Sequence, residues 1–454
     1  MYDLNNKFVK FYNEHVVLSF DEQQSLREKR DINIARLKEG LTKYNLNNNT
    51  NYKIVETKTQ GSMAMHTVTQ SDSNEYDIDI AVIFDTSINA LTSIGARRMV
   101  LEAFKLAYNN FKQDPEVKTN CVRIYYAEGY HIDLAVYRRD MNEDDEYIYE
   151  HAGTKWSVRD PLAINIWFAK EVKIKSTQLP KTVRLSKMFC KSRSHWDMPG
   201  GFIQTALCVE CFNDSERLDE CFYDTIVAIR DRLKVSSSVN NPTDTSQSIL
   251  KPADVQRMKN WETRLTNKIN KLQILFVSTC TEQDAIEAWA EFFDHSYWNI
   301  LVEANSSFKE AYFSTDSTIP TFRDTEQFIE DRVPMDEQYN VKIICETAAP
   351  GFRPMVLSKL FQQVKRRWIP HGTKFTFYAV DINVPSPYNI YWKVRNVGPI
   401  AERRNEIRGQ IIESNKPSHV ENAIFHGSHY VECYIIKNGK CVAIGRIDVP
   451  IDTK

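Results

Sequence analysis

A chain of 454 residues exceeds the roughly 250 at which a single core stops growing, so at least two domains are expected. Acidic and basic residues nearly cancel, to a formal net charge of -2, and aromatics make up 11% of the chain. That composition supports an ordinary packed core and argues against a surface built to grip duplex nucleic acid, which takes clustered Lys and Arg, though it leaves room for local basic patches. The nine cysteines form no framework, the chain opens Met1-Tyr2-Asp3-Leu4 without an apolar leader, and no apolar run approaches the ~18 residues of a membrane span. A cytoplasmic protein with no membrane partner is expected.

The first forty residues place apolar side chains at helical spacing, with Phe8, Phe11 and Tyr12, then Ile34 and Leu37, marking one face of two N-terminal helices. Tyr52 to Val55 reads as a strand, a Gly-Ser turn follows, and Tyr76 to Phe84 reads as a second strand rich in Ile. Leu101, Phe104, Tyr108 and Phe111 mark a helix, and Val122 to Tyr126 and His131 to Tyr137 two further strands. From Pro161 to Arg232 the pattern is helical, residues 234–255 form a polar connection, and Met258, Trp261, Leu265, Ile269, Leu272 and Leu275 stripe another helix. Residues 303–340 are polar and contain Pro, as a linker would. Strands resume beyond it, most plainly at His429 to Ile436 and Cys441 to Val449, where Asn438-Gly439 supplies a tight hairpin turn. The expected organisation is an α/β core plus a helical lobe at 1–300, a linker at 301–337 and a β-rich domain at 338–454.

Chemistry concentrates in three short runs. In Tyr76-Asp77-Ile78-Asp79-Ile80, strand alternation puts Asp77 and Asp79 on one face and the two Ile in the core behind them. His131-Ile132-Asp133-Leu134 repeats the pattern and offers a third acid if its strand lies beside the first. Hard divalent cations such as Mg²⁺ take carboxylates, phosphates and water, and two such ions stabilise the attacking and leaving oxygens of a displacement at phosphorus. Upstream, Gln60-Gly61-Ser62 provides a glycine that lets backbone approach a triphosphate and a hydroxyl to bond it, with Thr67 nearby. Each run alone has a plain structural reading, as a solvated strand face or a common turn. Their joint order and spacing point to metal-dependent nucleotidyl transfer, with Asp77, Asp79 and Asp133 as metal ligands.

The run Gly61-Ser62, Asp77-Ile78-Asp79 and Asp133 resembles the nucleotidyltransferase superfamily of DNA polymerase beta type, and within it the bacterial CD-NTases, relatives of cyclic GMP-AMP synthase and oligoadenylate synthase. The N-terminal helices, Trp156 to Pro161, and the helix with Arg184 and Lys187 share that likeness, which covers about residues 1–300. It implies an α/β (α+β) fold: a polymerase-beta-like core, a helical second lobe and a small β-rich C-terminal domain. It further implies that Lys187 joins Gln60, Gly61 and Ser62 in binding nucleotide, that two Mg²⁺ (or Mn²⁺) ions serve the acids, and that nucleoside triphosphates, ATP among them, become a cyclic di- or trinucleotide. Such a messenger would act on a separate effector in antiphage, CBASS-type signalling. Where relatives place a serine, Met198-Pro199-Gly200-Gly201-Phe202 has glycine. Trp392 to Asn396 and Phe425 to His429 are similar to the sensor domain fused to such enzymes, which implies an unknown ligand there, with Trp392, Arg395 or Arg408 as contacts against the commoner reading of core and surface.

Two rivals stand beside this reading: a linear oligonucleotide synthase or RNA-end transferase with the same metal site, and a nucleotide-sensing module with an inert transferase half. The group His195, Cys208, Cys211 and Cys221 reads as helix packing ahead of a zinc site, and Lys365-Arg366-Arg367 and Arg403, Arg404 and Arg408 as solvated surface.

Overall fold

The amphipathic opening of the chain divides between two cores. α1 (Asn5–Phe11) sends Phe8 and Phe11 into the helical core, where Phe8 meets Trp289 edge-on at 4.6 Å between ring centres and Phe11 meets Phe293 at 4.9 Å. Ser19 and Glu22 then form a reciprocal capping box that starts α2 (Phe20–Asn48), and this long helix carries Leu37 to the core of the N-terminal sheet. Phe8 and Leu37, expected on one face, therefore serve different cores. The computed structural model describes residues 1–70, 76–111, 113–126, 129–311, 326–329, 332–336, 338–348, 354–357, 373–397, 401, 406–422 and 429–449. The chain divides into two units, Met1–Ser314 and Thr315–Lys454.

The first unit builds a seven-stranded mixed sheet from β1 (Ile54–Gln60), β2 (Asp77–Phe84), β3 (Gln113–Val117), β4 (Val122–Tyr125), β5 (His131–Met141), β6 (Tyr147–Ala152) and β7 (Trp156–Val158). Its order is β1-β2-β5-β4-β3, with β2 and β5 parallel, while the far half of β5 pairs with β6 and β6 with β7. β1 lies further along than Tyr52 to Val55 because pairing with β2 extends it through Glu56-Thr57-Lys58-Thr59, polar residues of an edge strand that no apolar pattern reveals. At its end the short α3 (Gly61–Ala64) forms the turn. Ile78, Ile80, Val82 and Phe84 bury one face of β2 against α2 and α4 (Ser93–Ala107). The helix expected through Phe111 stops at Ala107, although Tyr108 and Phe111 still pack on that core.

Beyond the sheet lie α5 (Ala163–Ile174), α6 (Gln178–Lys191), α7 (Gly201–Cys211) and α8 (Leu218–Val235). A hairpin of β8 (Asn240–Asn241) and β9 (Asp244–Ser248) occupies the expected polar connection. α9 (Asp254–Leu272), α10 (Glu282–Phe293) and α11 (Ser296–Ala311) complete the helical core. Every residue of the Met258 to Leu275 stripe is buried there, as are Cys208 and Cys221. α11 runs through 301, so the start of the expected linker is helical; its Tyr297 and Trp298 are anchored against Phe11 and Phe293. No described helix is long and apolar enough to cross a membrane.

The second unit contains two four-stranded antiparallel sheets. One has the order β11-β10-β12-β15, from β10 (Lys342–Ala348), β11 (Met355–Val356), β12 (Lys374–Val380) and β15 (Ser418–Asn422); the other is β14-β13-β16-β17, from β13 (Asn389–Asn396), β14 (Arg408–Glu413), β16 (His429–Lys437) and β17 (Lys440–Val449). Phe375 and Phe377 of the first and Trp392, Val431 and Cys433 of the second share one core, so the sheets form a sandwich. The expected hairpin turn is present, with φ of 51° at Asn438 and 72° at Gly439. Ile329, inside the expected linker, is buried with Ile411 and Tyr434 of this unit.

The crossing of α2 over α4 depends on Gly40, where a Cβ would lie 1.8 Å from the Ala103 carbonyl oxygen. Alanine is the better helix former by about 1 kcal/mol, yet overpacking against backbone costs roughly 1–3 kcal/mol. Gly40→Ala is therefore expected to lower the midpoint of urea unfolding; an unchanged or raised midpoint would show that the crossing tolerates separation.

Candidate active site

The site grows from the register between two parallel strands. Asp77 stands opposite His131 and Asp79 opposite Asp133, at the ends where β2 and β5 begin. Cross-strand partners share a face, so the three acids rise together, while Ile78, Ile80, Ile132 and Leu134 are fully buried on the other side. Asp77 is exposed, Asp79 half-buried and Asp133 buried. Burial, then the charges of Asp133 and Asp77, push the Asp79 carboxyl up to about 7. Such a set of hard oxygens under mutual repulsion fits a divalent cation in donor chemistry.

Two residues not singled out from the sequence complete this charge set. Arg123 of β4 lies opposite Asp133, and its Nε and Nη2 donate to the two carboxylate oxygens at 2.7 and 2.6 Å; Nη2 is also 3.6 Å from Asp77. These contacts raise the Arg123 pKa further, the hydrogen bonds to Asp133 first. Among the described residues no three acids, histidines or cysteines close around one point, and Arg123 occupies both oxygens of Asp133. His131 Nδ1 lies 3.4 Å from Asp77. Alternation in Val122-Arg123-Ile124 was a usable sign that Arg123 leaves the core, but only sheet order sets it beside Asp133.

The glycine turn abuts the acids. Gly61 has φ of 65°, and a Cβ there would fall 2.0 Å from Asp79 Oδ2. Ser62 follows in the one-turn α3, and both line a cleft of about 1290 Å³. Gln60, opposite Asp79, lines it too, but its amide donates to the Pro161 carbonyl at 2.5 Å and so ties the Asp160-Pro161 segment to the sheet. Trp156 of that segment is bonded to the Leu91 carbonyl, a structural tie.

α6 supplies the opposite wall. Lys187 is buried, and its Nζ donates to the carbonyl and hydroxyl of Thr67 at 2.9 and 2.8 Å, so Thr67 holds the lysine. Burial, then Lys191 and Arg184, lower the Lys187 ammonium to about 7. Gly201 faces it: a Cβ there would stand in ordinary contact, 3.4 Å from Lys187 Cε. Gly200 and Gly201 begin α7 at the cleft, where unpaired backbone N–H groups suit an anion. Arg184 is buried and bonded to the Tyr12 hydroxyl, away from this lining.

The C-terminal contacts considered from the sequence fall elsewhere. Trp392 is 1% exposed in the sandwich core with its indole bonded to the Lys416 carbonyl, because strand alternation turns it between the sheets; it offers no face to a base. Arg395 is paired with Glu326 and Arg408 with Glu421. Phe425 to Ser428, Lys365 to Arg367, Arg403 and Arg404 lie outside the described residues.

Residues 55–137 match the family model for the cyclic GMP-AMP synthase DncV-like nucleotidyltransferase domain, and residues 323–452 match the adenylyl/guanylyl and SMODS C-terminal sensor domain. A cyclic GMP-AMP synthase of Escherichia albertii is 25% identical over 412 residues, 86% of this chain and 83% of that protein. In fold, the chain is similar to Escherichia coli DncV bound to 3'-deoxy GTP, with TM-score 0.53 and 16% identity over 66% of this chain and 99% of that one. Vibrio cholerae DncV with a nonhydrolyzable GTP gives TM-score 0.51 and 15% identity over 64% and 96%.

Gly61→Ala is expected to keep the folded circular-dichroism spectrum while pyrophosphate release from nucleoside triphosphates falls on the order of a hundredfold, the cost of misplacing a reacting group by about 1 Å; near-normal release would mean that Asp79 does not depend on this contact. The charged form of Lys187 is the one suited to a phosphate, and it is lost as pH rises through about 7, so triphosphate affinity is expected to weaken from about pH 6 to 8.5. Fluorescent-nucleotide titration should find that Lys187→Met binds more weakly at the acid end and lacks this part of the pH dependence; a profile parallel to that of the parent would assign it to other groups.

Proposed function

We propose that this chain, a nucleotidyltransferase similar to the bacterial CD-NTases, condenses nucleoside triphosphates into a cyclic di- or trinucleotide messenger. The observation that carries this reading is that Asp77 and Asp79 line one cleft with the Gly61 turn and Lys187, while the strand register sets Asp133 directly beside Asp79. At about 1290 Å³ the cleft exceeds the roughly 300–1,000 Å³ of a site for one small ligand, which suits two nucleotides side by side.

Asp77, Asp79 and Asp133 would hold two Mg²⁺ or Mn²⁺ ions, which when bound lower the pKa of the attacking hydroxyl and neutralise the leaving pyrophosphate. Lys187 and the first amides of α7 hold the donor phosphates, and Gly61 and Ser62 keep backbone close beside them. Thr67 fixes the lysine, and the Gln60 bond to Pro161 fixes the strand end that carries the turn. The walls of the cleft orient donor and acceptor, the step that converts an encounter into an intramolecular reaction. A linear dinucleotide that turns in the same cleft closes the ring on a second pass.

The names of relatives support purine triphosphates, ATP among them, as substrates. Family resemblance supports an antiphage, CBASS-type role, with a separate effector reading the product in the cytoplasm. The C-terminal sandwich, matching a domain described as a sensor, would take the ligand that gates synthesis.

Labelled nucleoside triphosphates incubated with Mg²⁺ or Mn²⁺, beside an Asp77→Ala, Asp79→Ala double variant, test this by product mass. A phosphatase-resistant cyclic product that the variant cannot make is expected. Phosphatase-sensitive oligomers would establish the linear synthase instead, and nucleotide binding without pyrophosphate release, with or without infected-cell lysate, would leave a sensing module.

A further inference from the structure

One row of cross-strand partners runs the width of the N-terminal sheet. Gln60 of β1 faces Asp79 of β2, Asp79 faces Asp133 of β5, Asp133 faces Arg123 of β4, and Arg123 faces Glu116 of β3. Partners in such a row project from the same face. Arg123 thus stands between two carboxylates, one strand spacing of about 4.8 Å to either side. It is committed to one of them: both Asp133 oxygens are taken, at 2.7 and 2.6 Å. Glu116 is exposed and meets the Tyr125 hydroxyl and, at 3.0 Å, the Lys118 ammonium.

A guanidinium fork on Asp133 supplies the positive charge that three neighbouring acids require, and it does so through the oxygens a divalent cation needs. A cation entering between Asp79 and Asp133 would meet a like charge at contact distance. The side chain of Arg123 has enough rotatable bonds to leave without any change in strand pairing, and the acid on its other side is already in register. We propose that Arg123 is a positioning residue that serves as counter-cation of the metal-free site and exchanges Asp133 for Glu116 when the divalent cation enters. Cation binding is then an exchange of charges along one row of the sheet, and Glu116, which does not line the cleft, tunes it. The inference rests on the metal-site reading above.

Mn²⁺ binding to the full chain without nucleotide, read from the free-ion resonance signal, tests the exchange independently of turnover. Removing the competitor in Arg123→Met should tighten Mn²⁺ roughly three- to fivefold, the upper scale of one charged pair. Removing the second seat in Glu116→Gln should weaken it by about two- to threefold in the parent and have no effect in the Arg123→Met background, a coupling that independent sites do not show. Arg123→Lys, which keeps the charge without the fork, should fall between parent and Arg123→Met and keeps the test decisive if the methionine variant does not fold. Weaker or unchanged Mn²⁺ binding in the Arg123 variants, or an equal Glu116→Gln effect in both backgrounds, overturns the exchange and leaves Arg123 a brace for Asp133. Asp133→Asn should lose Mn²⁺; parent-like affinity there would refute the metal site itself, a failure distinct from that of the exchange.

Discussion

Like charges held close together are the constraint around which the N-terminal unit is arranged. Three carboxylates begin two adjacent parallel strands, and the register that pairs Asp79 with Asp133 leaves them no way to separate without breaking the sheet. The strands accept this because their other face is fully apolar: Ile78, Ile80, Ile132 and Leu134 pack on α2 and α4 and hold the register. Burial first, and then this repulsion, raise the pKa of Asp79, and the forked contact of Arg123 on Asp133 opposes it. The stress that disfavours the bare acids is of the kind a divalent cation relieves, and it follows from the backbone order of the sheet.

The helical core answers with a charge of the opposite sign. Lys187 is buried without a carboxylate bond; it is held by the oxygens of Thr67, and nearby Lys191 and Arg184 make its charge harder to keep. An ammonium so placed gains most from an arriving polyanion. Glycine at position 61 lets backbone lie against Asp79, where a Cβ would fall 2.0 Å from the carboxylate. The N-terminal chain joins the halves, since α1 packs on Trp289 and Phe293 while α2 covers the sheet.

The C-terminal unit follows other rules. Its sandwich buries Trp392 and the alternating faces of β13 and β16, and it pairs its arginines internally, Arg395 with Glu326 and Arg408 with Glu421. A side chain that satisfies the core is not thereby available to a ligand, and Trp392, Arg395 and Arg408 are committed to packing and ion pairs.

Local chemistry was legible from the amino-acid order alone. Alternation on Asp77-Ile78-Asp79 and on Ile132-Asp133-Leu134 fixes which side chains face the core, Asn438-Gly439 marks its hairpin, and the Met258 to Leu275 stripe marks a buried helix face. These follow from the period of strand and helix, a property of neighbours in the chain. Partners distant in the chain were not legible: that β4 lies beside β5 and brings Arg123 to Asp133, that Thr67 holds Lys187 from 120 residues away, that β1 continues through polar residues to Gln60, and that Phe8 and Leu37 serve different cores. Strand order, and with it the charge balance of the site, is decided by how apolar faces close over one another in three dimensions, which no local period encodes.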